Sequence, residues 1–325
     1  LLAVILLALF PVSFVLGRYD VPVGQVIRIL LSEVIPLEQT WTDQMQTAVL
    51  NIRIPRIALA VLVGAALSMA GTAYQSVFRN PMASPDILGA SSGACFGAAL
   101  AILLRQGQIM ITVSAFAFSI LTVSLVCMVG NHTRGNKVAN ILLAGIMVGS
   151  LFSAATSYVK LVADPSDQLP AITYWLMGSL SGARNRDLFF ALVPMLIGAI
   201  PLLLLRWRIN LLTLEEEDAT SMGIDTDKLR KAVIACSTVL TAASVASSGM
   251  IGWVGLVIPH LCRKLVGNDN RYLLPASMFG GGAFLLLVDN ISRNLLTTEI
   301  PIGILTAFVG APFFIRMMTR KEAGL

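Results

Sequence analysis

The sequence predicts an all-α, polytopic membrane protein of about ten transmembrane helices, and three observations carry that prediction. Of 325 residues, 56% are hydrophobic and only 13% charged, a balance outside that of ordinary soluble domains. Apolar runs without a charged side chain occupy 1–17, 57–77, 87–104, 109–130, 138–159, 188–205, 232–262, 272–288 and 300–315. A helix needs about 20 residues to cross the hydrocarbon core, and there a helix satisfies every backbone group within its own segment.

Taken in order, the run 1–17 opens the chain without a basic leader or an evident cleavage site, and Leu1–Leu16 is expected to be a retained first span. Asn80-Pro81 and Ser84-Pro85 break the backbone between 57–77 and 87–104, and such broken segments at membrane depth tend to line a path. Short polar gaps at 105–108 and 131–137 make hairpins of the next spans. The run 232–262 is too long for one crossing, and Ser247-Ser248-Gly249 divides it into two helices, giving ten in all. Glycines at 89, 93 and 97, at 145 and 149, at 249, 252 and 255, and at 280–282 suit close approach of helix backbones. Gaps on one side (78–86, 131–137, 206–231, 263–271 and the tail from 316) hold 14 Lys and Arg, and those on the other hold 9. The first set is therefore expected in the cytoplasm, with both termini inside.

The block 206–231, RWRINLLTLEEEDATSMGIDTDKLRK, is a water-soluble helix signal between two uncharged spans. Thr213 is a candidate N-cap, Glu215, Glu216, Glu217 and Asp218 suit a first helical turn, and Gly223 can end the helix. Leu211, Leu212, Leu214, Ala219, Met222 and Ile224 supply an apolar side. Such a helix is either a solvated loop or a surface offered to a soluble partner.

Other patterns mainly exclude. Cys95, Cys127, Cys236 and Cys262 have no CxxC spacing, and no carboxylate or cysteine stands at ligand spacing from His132 or His260, so neither a metal site nor a catalytic triad is expected. No GxxxxGK[ST] occurs, so any ATP that drives the chain binds elsewhere, and no basic and aromatic pattern suggests nucleic acid. Arg53 and Arg56 flank Pro55 on the expected outer face, with Arg293 near Asp289. Position alone allows them to be headgroup anchors or partners for the carboxylates of a docking protein.

Six segments in order give the chain a resemblance to the FecCD-type permeases, the membrane subunits of type II ABC importers for ferric siderophores, haem and vitamin B12. They are RIPR at 53–56, GAALSMAG at 64–71, RNPMASPDILGASSGA at 79–94, WLMGSL at 175–180, GMIGWVGLVIPHLCR at 249–263 and EIPIGILTAFVGAPFF at 299–314. The chain departs from the family at Glu215, where Gly is common, and at Trp253, where Phe is common. The resemblance implies one permease domain over 1–325, a bundle like that of the vitamin B12 importer, in a prokaryotic cytoplasmic membrane. It implies a homodimer or close heterodimer with the path at its interface, two cytoplasmic ATPase subunits that hold ATP and magnesium, and an extracytoplasmic binding protein. This chain itself is expected to bind no cofactor and to catalyse no reaction. By the same resemblance, Leu214, Glu216, Glu217, Ala219, Met222 and Gly223 lie in the ATPase coupling helix, and Arg53, Arg56 and Arg293 face outward to meet glutamates of the binding protein. Asn80 and Met82, with Val138 and Ala139, match cytoplasmic gate positions. A secondary transporter driven by an ion gradient is the rival, but it would need ionisable residues deep in the spans, and none stands near the middle of any.

Overall fold

The protein, a computed structural model, is described over residues 1–132, 137–214 and 225–319, and these contain helices and no strand. In chain order the helices are α1 (Leu2–Val15), α2 (Val23–Ser32), α3 (Asp43–Thr47), α4 (Ile54–Val77), α5 (Ala90–Leu103), α6 (Gln108–His132) and α7 (Lys137–Val162). There follow α8 (Gln168–Leu176), α9 (Asn185–Ile209), α10 (Thr226–Ser248), α11 (Val254–Val266), α12 (Asn270–Asn294) and α13 (Ile302–Thr319). Each expected apolar segment is thus a helix, including the two halves of 232–262: α10 stops where Gly249 takes φ 69°, a left-handed conformation cheap only for glycine. Among the described residues six stretches are long and apolar enough to cross a membrane, while α1, α5, α11 and α13 have 13 to 18 residues. The helices α2, α3 and α8 were not expected; they lie in the gaps 18–56 and 160–187.

Two breaks have local causes. Pro55 has no N–H to donate, and the helix before it widens into a π turn over Ala48–Arg53, which swings into α4. The expected span 87–104 begins instead with a 3-10 turn, Pro85–Leu88, and Gly89 at φ 72° redirects the chain into α5.

The bundle is organised on α4, whose side chains are nearly all buried between α9, α10, α11 and α12. Contact with two neighbours is backbone to backbone. A Cβ on Gly64 would run into the carbonyl of Gly281 on α12, and one on Gly71 into the carbonyl of Gly255 on α11. The antiparallel α4–α12 pair is also bonded along its length. Arg56 pairs with Asp289 at one end, and near the other Thr72 Oγ1 donates to Ser277 Oγ at 2.8 Å and Ser76 Oγ to Asn270 Oδ1 at 3.2 Å. A second group, α5, α6 and α7, packs the same way: Gly93 and Gly97 leave room for Thr122 and Ser114 of α6, and Gly145 of α7 sits against the carbonyl of Ile87.

The gaps assigned to each side are found together. On one face Asn210 Nδ2 donates to Asp269 at 2.7 Å, Arg79 Nε to the Leu212 carbonyl at 3.0 Å, and Lys137 pairs with Asp227. On the opposite face Arg18 reaches the Arg293 carbonyl at 3.2 Å, Gln168 the Leu103 carbonyl at 2.9 Å, and Ile302 N the Gly178 carbonyl at 2.9 Å.

The tightest of these approaches gives a test. Gly71→Val must push α11 away from α4 and is expected to lower the stability of the purified protein by at least about 1–3 kcal/mol, the usual range for overpacking. Val at Gly107, where an added Cβ meets nothing, is the control. Equal melting temperatures for the two variants would contradict the packing described.

Candidate functional site

At the face carrying the 18–56 and 289–299 gaps, four guanidiniums converge: Arg18, Arg53, Arg56 and Arg293 line a cavity of about 170 Å³ with Glu299. The π turn and α4 deliver Arg53 and Arg56, and the last turn of α12 delivers Arg293. Asp289 lies behind them, fully buried. Its Oδ1 accepts from Arg56 Nε at 2.9 Å, and its Oδ2 stands 3.0 Å from Arg293 Nε, an ion pair not aligned as a hydrogen bond. Glu299 takes Arg56 Nη1 with both oxygens, at 2.9 and 3.0 Å. Arg53 donates to the carbonyls of Phe14 and Tyr19, and Arg293 to the Leu16 carbonyl and to Asn290. Arg56 Nη2 is buried and has no hydrogen-bond partner.

Arg53, Arg56 and Arg293, expected to face outward, stand at this face but are engaged within the chain, and they are only 4%, 5% and 6% exposed. The reason is energetic: an unpaired charge in an apolar bundle costs several kcal/mol, so carboxylates and carbonyls are supplied alongside. Sequence reasoning placed Asp289 only loosely and missed Glu299. The four-residue spacing of Asp289 and Arg293 on one helix was the available signal. Burial alone would push the Glu299 carboxyl up from its ordinary 4.5, but the hydrogen bonds and charge of Arg56 outweigh this and hold it lower.

The opposite face carries the other expected positions. Asn80 and Met82 share one turn, where Asn80 Oδ1 accepts from the Met82 backbone N–H at 2.8 Å, and the Met82 side chain is exposed. The chain continuing from that turn packs against α7 at Gly145 and Gly149. Val138 and Ala139 are on the first turn of the same helix, nearer the face. Of the coupling-helix residues, Leu214 follows a 3-10 turn, Asn210–Thr213. Glu216, Glu217, Ala219, Met222 and Gly223 lie outside the described residues. Thr213, expected to cap a helix, donates its hydroxyl to the Asn210 carbonyl at 2.6 Å and closes that turn. The chain is next described at Asp225, whose carboxylate caps α10 by accepting from Lys228 N at 3.0 Å.

Both sides of this loop are fastened to the bundle. Asn210 binds Asp269 and the Asn270 N–H, and Arg79 binds the Leu212 carbonyl, tying the start of the loop to α12 and the end of α4. Asp227, past the loop, takes Lys137 and Arg230, tying α10 to the start of α7. Hydrogen bonds from Arg271 and Asn210 hold the Asp269 carboxyl well below the usual carboxylate range, so this tie stays ionised at any physiological pH.

Comparison with known proteins agrees along the whole chain. Residues 5–320 match the family described as the FecCD transport family. The molybdate import system permease protein MolB of Haemophilus influenzae is 40% identical over 314 residues, covering 96% of this chain and 92% of its own. The cobalamin import system permease protein BtuC of Halobacterium salinarum is 40% identical over 288 residues, 88% of this chain and 77% of its own. Among solved structures, an inward-facing ABC transporter assigned to the metal-chelate type superposes with a TM-score of 0.88 at 38% identity, covering 98% of both chains.

The charge cluster generates a prediction with two arms. Asp289→Asn leaves the buried Arg293 guanidinium without a carboxylate and Arg56 with Glu299 alone, and is expected to cost about 3–5 kcal/mol, read as a drop in melting temperature. Glu299→Gln, at a partly exposed position, costs less. Because the folded Glu299 value is depressed, its contribution is complete above about pH 4.5 and is lost as pH falls through the lower folded value. Melting temperature of the parent minus that of Glu299→Gln is therefore flat near neutrality and shrinks in acid; a difference that grew in acid would contradict the assignment.

Proposed function

The chain belongs to the FecCD transport family, and on that premise we propose that it carries a metal chelate across the membrane for an ATP-driven importer. It is a multi-pass permease subunit of the ABC importer class in the cytoplasmic membrane, and it is not an enzyme. The observation that carries the mechanism is the fastening of residues 206–231 at both sides to different helices. A push on that loop from an ATPase subunit reaches α4 and α12 through Asn210 and Arg79, and α7 through Asp227 and Lys137. Such a push moves α7 relative to the α4–α12 pair and converts an inward-open into an outward-open path. ATP and magnesium belong to two partner ATPase subunits on this face, which is then cytoplasmic, with both termini on the same side.

The second copy is proposed to be this same chain, with α7 on the path. Along one side α7 exposes Ala139, Leu143, Ile146, Ser150, Ser153 and Ser157. Ser150 and Ser157 donate to carbonyls of their own helix, so the stripe is mildly polar without offering fixed donors to a solute. A bulky chelate slides past such a wall without being held. Asn80, Met82, Val138 and Ala139 close the cytoplasmic end. At the outer face a binding protein docks its carboxylates on the cup of Arg53, Arg56 and Arg293.

Relatives named for molybdate, iron chelatin, cobalamin and hemin span the candidate substrates. Ferric siderophore stands first, with haem and cobalamin behind it. Uptake of these and of labelled molybdate by cells carrying the complete transporter tests the choice. Accumulation of a chelate supports it, and accumulation of molybdate alone overturns it. For coupling, Asn210→Ala and Gly223→Arg are expected to leave ATP hydrolysis by the assembled transporter while lowering uptake at least about tenfold, a loss of one coupling free energy of about 1–3 kcal/mol. Uptake matching that of the parent in both variants contradicts the lever.

A further inference from the structure

A groove of about 470 Å³ opens between α6, α7 and α10 on the face that carries the 206–231 loop, and neither the path nor the loop's fastening accounts for its depth. Three helix faces build it by simple periodicity. On α6, Ile120, Val123 and Cys127 fall on one side; on α10, Ile234 and Val239 do so below the basic pair Arg230 and Lys231; on α7, Ile141 stands one turn above Lys137. From Asp227 to Val239 the wall runs twelve residues of helix, about 18 Å at 1.5 Å per residue, close to the ~15 Å half-thickness of a bilayer core. The groove therefore passes through one leaflet and no further.

Its mouth is cationic. Lys137, Arg230 and Lys231 meet there around one carboxylate, Asp227. Lys137 and Arg230 Nη1 both use that carboxylate, the second at 3.1 Å, whereas Lys231 is exposed and pairs with no carboxylate among the described residues. Arg230 is only 6% exposed, and its Nε is buried without a hydrogen-bond partner. A buried charged group with an unused donor is costly unless an anion completes it. A metal ion would find one carboxylate and three cations. A free anion would use the mouth and leave an apolar slot of leaflet depth unexplained.

We propose that this groove holds an anionic phospholipid of the leaflet on that face, one acyl chain lying between α6, α7 and α10 and the phosphodiester on Lys231 and Arg230. Basic mouths of apolar clefts between spans are suited to such headgroups. The site does not depend on what the chain transports, but it sits on the tie between α7 and α10, so its occupancy would stiffen that joint.

The experiment uses the complete transporter in mild detergent, offered equimolar phosphatidylglycerol and phosphatidylcholine of matched chains, with retained lipid counted by native mass spectrometry. Phosphatidylglycerol should be retained preferentially. Lys231→Glu should lower that retention at least about fivefold, as expected for reversing one charge at a headgroup. Ala235→Trp, also at an exposed position on the groove wall, should lower it while leaving the charges in place. Gel filtration confirms that both variants fold. Equal retention of the two lipids, or parent-like retention in both variants, overturns the proposal. Displacement of the lipid by millimolar inorganic phosphate that still binds Ala235→Trp would make this a phosphate site instead. Retention only after the ATPase subunits are stripped would make it a covered protein interface, which also overturns it.

Discussion

Gly64 with Gly281 and Gly71 with Gly255 bring α4 into backbone contact with α12 and α11, and most of the molecule is arranged around that approach. Only at this separation can Arg56 reach Asp289 at one end of the pair, while Thr72 and Ser76 reach Ser277 and Asn270 toward the other. In a membrane the hydrophobic effect does not drive helices together, so close packing and hydrogen bonds must do so. The α4–α12 pair uses both along its whole length. It is a post with a charge clamp at one face and a polar clamp near the other.

The placement of charge follows from the same physics and bears on the energy source. Asp289, Arg56 and Arg293 stand at helix ends and compensate each other, while Lys137, Asp227, Arg230 and Asp269 collect at the opposite face. A carrier driven by an ion gradient keeps titratable groups along its path, where protonation or ion binding can change the structure. The α7 stripe from Ala139 to Ser157 offers serine, alanine and aliphatic side chains instead. Mechanical input at the 206–231 loop is the arrangement that the polar ties on that face can transmit.

Much of the fold was legible because apolar runs and their breaks are local signals. The helices at the ten expected apolar segments, the break at Gly249, and the glycine positions that admit neighbouring backbones all follow from residue type and spacing. What was not legible depended on partners distant in sequence. Glu299 matters because Arg56 lies opposite it, 243 residues away, and the arginines are buried because those carboxylates exist. The Thr213 hydroxyl closing a 3-10 turn onto Asn210 was likewise not legible from its cap-like position before an acidic run. The three-helix groove was equally hidden, since its α10 wall comes from a segment about ninety residues beyond the α6 and α7 walls.

The central claim is that this permease is driven by ATP through its loop and not by an ion gradient through its spans. Proteoliposomes holding the chain with its partner ATPase and binding protein measure this directly, with ATP enclosed on the loop side and proton and sodium gradients imposed or collapsed independently. Uptake that requires ATP and persists when both gradients are abolished is the result expected. Uptake that follows a gradient without ATP would contradict the account.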